Sequence, residues 1–90
     1  MERIRTIIIN IRKMGFNSEA EDNGNGIELV KYTKGDVLIT FNNNIFKVIE
    51  NDKKILMGSF KVSTHVDRLE RYVKLLNRRM VMDKILNNES

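Results

Sequence analysis

The stretch from Ser63 to Asn88 constrains this chain most, because it reads as one long helix whose apolar residues change sides partway along. Stepped at about 100° per residue, Val66, Leu69, Val73, Leu76 and Met80 fall on one stripe with Tyr72 at its border, the pattern of a helix laid on a core. Beyond Arg79 the pattern turns over: Met82, Ile85 and Leu86 project with Leu75 from nearly the opposite side, while Lys84 returns to the first stripe. A single sheet covers one of those sides. Thr64 stands where an N-cap hydroxyl would accept a first-turn amide, with Asp67 three residues on in support.

Size adds to the constraint. A helix of about 24 residues is roughly 36 Å long, whereas four strands side by side span about 19 Å and a seven-residue strand about 23 Å. A helix over 64–88 is therefore expected to leave the body of the domain by its last two turns. Leu75, Met82, Ile85 and Leu86 are the residues expected to meet a second chain or another protein there.

Upstream, residues 2–14 place Ile4, Ile7, Ile8, Ile11 and Met14 on one helical face, with Gly15 as a C-terminal cap and Arg3, Arg5, Arg12 and Lys13 elsewhere. The β-branched isoleucines would also suit a strand; the spacing and the terminal glycine favour the helix. Residues 17–26 are polar, end in Asn-Gly-Asn-Gly and read as an exposed loop. A calcium loop counted from Glu21 would need an acid at Tyr32. A phosphate-binding glycine fingerprint needs a strand before it and a helix after it, the reverse of the order here.

Three turn signals, Lys34-Gly35, Asn42-Asn43-Asn44 and Asp52-Lys53-Lys54, divide residues 27–62 into four strands of an antiparallel meander. With Lys34 and Gly35 as turn residues, Tyr32 faces Val37 and Val30 faces Ile39; further on, Phe41 meets Phe46 and Ile39 meets Val48. A three-residue last turn puts Leu56, Phe60 and Val62 on the same apolar side. The other face is mixed, with Leu38, Ile49 and Met57 among lysines. The expected fold is α+β: one domain over 1–90, in the order α-β-β-β-β-α, both helices on one sheet face. That order resembles double-stranded-RNA-binding domains in topology. Four strands stand where that family has three, and Thr64-His65-Val66-Asp67 stands where the family has a lysine-rich helix start, so the resemblance carries no membership.

Sixteen basic residues against 12 acidic give a net charge of +4. The positive charge is spread along the chain, a balance that permits phosphate binding without demanding it. Arg71, Lys74 and Arg78 form a stripe on the long helix with Arg68 and Arg79 beside it, a row able to track phosphates or an acidic surface. Asp67 and Glu70 stand four residues before Arg71 and Lys74 and are placed to pair with them, while Arg78 and Arg79 have no acid at that spacing. The open sheet face has no aromatic ring on which a base could stack.

Catalysis needs converging groups, and the chain has one histidine, no cysteine, and acids scattered over loops and helix surfaces. His65 reads as a surface or capping residue, not a base or ligand. No enzyme, metal or cofactor is expected. The absence of cysteine, of a run of 18 apolar residues and of a signal-peptide pattern leads to the expectation of a cytoplasmic protein with no membrane role. Asn, Ile and Lys, whose codons are AT-rich, make about a third of the chain. Together these features suggest a small non-enzymatic binding protein, homodimeric through the end of its long helix. Size and composition further suggest a phage or mobile-element modulator in the host cytoplasm, such as an anti-CRISPR-like inhibitor of nucleic-acid-targeting defence machinery. The alternative is a nucleic-acid backbone binder using Arg71, Lys74, Arg78 and Arg79.

Overall fold

The computed structural model describes residues 2–22, 24 and 27–88, with the side chains of residues 2, 22, 27, 28 and 84–88 outside that description. The order is α1 (Glu2–Lys13), β1 (Asn17–Asp22), β2 (Ile27–Lys34), β3 (Val37–Asn42), β4 (Ile45–Glu50), β5 (Lys53–Ser59) and α2 (Ser63–Asn88). The five strands form one antiparallel sheet in sequence order. The class is the expected α+β, with five strands in place of four.

The added strand is β1, in the segment expected to be a loop. Its composition, Asn-Ser-Glu-Ala-Glu-Asp, has none of the β-branched or aromatic residues that mark a strand. It is held by its ladder to β2, from Asn17 opposite Thr33 to Glu21 opposite Leu29. As an edge strand its charge is an advantage, since an acidic edge discourages pairing with other chains.

Turn chemistry sets the remaining register. Gly35 adopts φ +57° and forms the β2–β3 turn with Asp36, so Tyr32 lies opposite Ile39 and Lys34 opposite Val37. The expected pairing of Tyr32 with Val37 is displaced by two residues, which leaves each side chain on its expected face. Phe41 faces Phe46 and Ile39 faces Val48 as expected. The last hairpin turns on Asn51 and Asp52, at φ 55° and 65°, a pair of left-handed residues suited to a two-residue hairpin loop. A bulge at Ile55 then restores the parity that a three-residue turn would have given, and Leu56 lies opposite Val48.

One sheet face carries the core. Ile7 and Ile11 of α1, Tyr32, Ile39, Phe46 and Val48 of the sheet, and Val66, Leu69, Val73 and Leu76 of α2 are buried together. Val30, Leu56 and Phe60 pack against this core partly exposed, whereas Val62, expected there, is 39% exposed. Phe16, just after α1, is buried and had no role in the sequence reading. The first helix ends as expected: Gly15, at φ +90°, donates from its amide to the Arg12 carbonyl at 3.0 Å, and the Lys34 ammonium donates to the Met14 carbonyl.

The second helix starts one residue earlier than expected. Val62 supplies the carbonyl that accepts the His65 and Val66 amides, at 3.0 and 3.1 Å, so Thr64 lies inside the helix and is not its cap. The turn into α2 is organised by Ser59. Its hydroxyl accepts the Lys61 amide at 3.1 Å, its carbonyl accepts the Val62 amide at 3.2 Å, and its own amide donates to His65 Nδ1 at 3.1 Å.

Candidate functional site

The 26 residues of α2 span roughly 39 Å at the helical rise, and the sheet supports the first part of that length. The last fully buried residue is Leu76 and Met80 is half-buried. Val81 and Met82 are then 49% and 60% exposed. Leu75, on the far side from the core, is 55% exposed. These values place two of the four expected interface residues, Leu75 and Met82, in solvent on the outward side of the helix. The side chains of Ile85 and Leu86 lie outside the described residues, although their backbone continues α2. The molecule measures 50 × 27 × 26 Å, and the long dimension fits a helix that continues past its support.

Two tethers fix the supported part. At the start, Arg3 of α1 pairs with Asp67 and, at 3.1 Å, with Glu70 Oε2. The hydrogen bond from the Arg3 guanidinium holds the Asp67 carboxyl below the ordinary carboxylate range. Further along, Glu50 at the end of β4 receives both Arg79 Nη2 at 2.9 Å and the Tyr72 hydroxyl at 3.3 Å. Burial, followed by the Glu50 charge and its hydrogen bond to the phenol, pushes Tyr72 up to about 12. Among the described residues, no hydrogen bond or ion pair joins a side chain beyond Arg79 to the sheet. The helix is thus tethered at two points, and just past the second Met80 still packs on the core.

The Tyr72 environment has a measurable consequence. Between its ordinary value of 10.0 and about 12, the folded chain keeps a proton that the unfolded chain releases, so stability falls as pH rises through that window. Solvent screening at a half-buried ring limits the loss to about 1 kcal/mol. Urea unfolding of the parent and of Tyr72→Phe across this window is expected to show the extra loss in the parent alone; equal slopes would contradict it.

The cations expected to form a phosphate-tracking stripe fare differently from one another. Arg79 is committed to Glu50, and Lys74 makes a long contact of 3.7 Å to Glu70 Oε1. Arg78 has no ion pair among the described residues. Arg71 also has none, because its expected partner Asp67 turns to Arg3 instead. Sequence spacing alone cannot reveal these exchanges: Arg3 and Asp67 lie 64 positions apart, and Glu50 and Arg79 lie 29 apart. An acid ending a strand and an arginine ending the buried stripe of a helix was the one available hint of the second tether.

His65 is a structural bracket. Its Nδ1 accepts the Ser59 amide, which fixes the ring as the tautomer protonated at Nε2. Among the described residues no group of three or more His, Asp or Glu side chains is placed to hold a metal ion, and no helix is long and apolar enough to cross a membrane.

The open sheet face has a shallow depression of about 570 Å³ lined by Leu29, Lys31, Thr40, Ile45, Lys47 and Met57 among others. Lys31 is paired there with Glu21 at 3.2 Å. Ile45 and Met57 are 47% and 50% exposed. No aromatic side chain lines this depression. Compared with models of known protein families, with curated proteins and with solved structures, the chain matches none.

Proposed function

We propose that the chain is a non-enzymatic binding protein that works through a protein–protein interface on the free end of α2, forming a homodimer there. The observation that carries this reading is the exposure of Leu75, Val81 and Met82 on a helix that continues beyond its last buried residue. A helix that ends in water gains nothing from apolar side chains on its outward side; one that lies against another helix buries them at i, i+4, i+7 spacings. In the sequence Leu75, Met82 and Leu86 follow that spacing. Truncating exposed apolar residues in isolation leaves a fold unchanged, so the end of α2 can be removed without disturbing the core above Leu76.

Further support comes from the tethers. Glu50 with Tyr72 and Arg79 sets the direction in which the free turns project, and a fixed direction lowers the entropy cost of docking. The same proposal includes the target class drawn from composition, host machinery that handles nucleic acid. Sedimentation of the full chain beside a chain ending at Met80 tests the interface. Dimer for the first and monomer for the second is the expected result; two identical monomers would end the homodimer reading.

A further inference from the structure

We propose that the outer surface of the α1–α2 layer binds the sugar–phosphate backbone of a nucleic-acid duplex. On α2 this surface adjoins the apolar residues of the free end, since Leu75 lies one turn from both Arg71 and Arg78, and on α1 it is separate from them. The two helices hold ten of the 16 basic residues and four of the 12 acidic ones, leaving six basic and eight acidic residues for the rest of the chain. Charge is therefore segregated by layer, a property that reading the chain segment by segment obscured.

The fold strengthens the segregation. Two acids on the outer layer, Asp67 and Glu70, are both engaged by Arg3; Glu70 also meets Lys74 at 3.7 Å, and Arg71 makes no ion pair with Asp67, acting on it through its charge alone. Arg68, Arg71, Lys74 and Arg78 are exposed along α2, and the eleven-residue run from Arg68 to Arg78 covers roughly 15 Å. Phosphates of one strand advance about 3.4 Å per nucleotide, so this run faces about four of them. On α1, Arg5, Arg12 and Lys13 are exposed as well. The two helices lie side by side on the same sheet face, joined at Arg3, and packed helix axes stand about 8–10 Å apart. Both rows then fall within the width of one duplex.

The chemistry favours backbone phosphate. Five of these seven cations are arginines, whose planar forks fit phosphate oxygens. The Tyr72 hydroxyl is turned to Glu50, and the outer face of the helix pair offers no ring to unstacked bases among the described residues, so recognition is of the backbone and not of sequence. An interface for an acidic protein would keep charge at its rim and apolar anchors at its centre. Here cations outnumber the apolar residues, with Ile9 and Leu75 each exposed singly among them.

The test is fluorescence anisotropy of mixed-sequence DNA and RNA duplexes with the full chain, from about 50 to 200 mM salt. Affinity is expected to fall by about three orders of magnitude over that range, a slope near −5 to −6 on logarithmic axes. Arg5→Gln with Arg12→Gln is expected to reduce the slope by about 2, as is Arg71→Gln with Arg78→Gln, since each pair removes two phosphate contacts. All four positions are exposed, and circular dichroism checks that the fold is kept. No binding at the lowest salt would overturn the proposal. So would an unchanged slope in the α1 variant, or binding of labelled polyglutamate in place of either duplex.

Discussion

Replacing Phe46 by alanine is expected to cost about 3–5 kcal/mol of stability, the largest loss from any single truncation in this chain. The side chain is fully buried at 0% exposure, and its ring stands 5.3 Å from that of Phe60. It lies opposite Phe41 on one neighbouring strand and Gly58 on the other, so it fills the space between the sheet and the start of α2. Removing it takes away both the transfer free energy of the ring and the packing of its neighbours, because Phe60 is anchored by its amide to the Asn44 carbonyl at 2.7 Å and cannot swing in to fill the gap. A domain of about 90 residues is stable by roughly 5–13 kcal/mol. The urea midpoint of Phe46→Ala should therefore drop steeply, with the slope of the transition unchanged. A shift smaller than that of a surface substitution would show that the core is not where Phe46 stands.

Gly58→Ala is expected to cost about 1–3 kcal/mol for the opposite reason, an excess of volume. A β-carbon on Gly58 would stand 2.7 Å from His65 Cβ and 2.8 Å from Phe46 Cζ, closer than carbon atoms approach one another. Neither neighbour yields cheaply. His65 is fixed in the first turn of α2 and by its bond from the Ser59 amide, and Phe46 is enclosed on all sides. The two predictions are coupled through that contact. Shortening the ring in Phe46→Leu makes room, so adding Gly58→Ala to it should cost less than adding Gly58→Ala to the parent. Strict additivity in that cycle would mean that the glycine is not held against the ring.

The helices and the middle of the sheet were legible because their burial is periodic. Ile7 and Ile11, and Val66, Leu69, Val73 and Leu76, are spaced at the helical repeat and are buried. The pairs Phe41–Phe46 and Ile39–Val48 followed from alternation around a turn marked by asparagines. The first strand was not legible, because Ser18 and Ala20, its core-side residues, are themselves exposed; nothing in their chemistry asks for a sheet. The Gly35–Asp36 turn was misplaced by one residue because Lys34, Gly35 and Asp36 all tolerate turns, and only the observed positive φ at Gly35 selects among the alternatives.

At the candidate site, the exposed apolar residues were legible by the same periodicity, while the ion-pair partners were not. Arg71 was expected to be paired and has no ion pair among the described residues; Arg79 was expected to be unpaired and is held by Glu50. Local spacing gives a few tenths of a kcal/mol to an i, i+4 pair. Where α1 and the β4–β5 turn bring another charge into reach, as Arg3 and Glu50 do, that weak preference is easily outweighed.

The function proposed for the free end of α2 stands on Leu75 and Met82 being buried by a second chain. Sedimentation velocity of the parent and of a Leu75→Asp, Met82→Asp variant, at rising protein concentration, measures this directly. Both positions are exposed in the single chain at 55% and 60%, so the variant should fold as the parent does. The expected result is a dimer for the parent and a monomer of the same circular dichroism for the variant. A parent that remains monomeric at every concentration, or a variant that dimerises as the parent does, would contradict it.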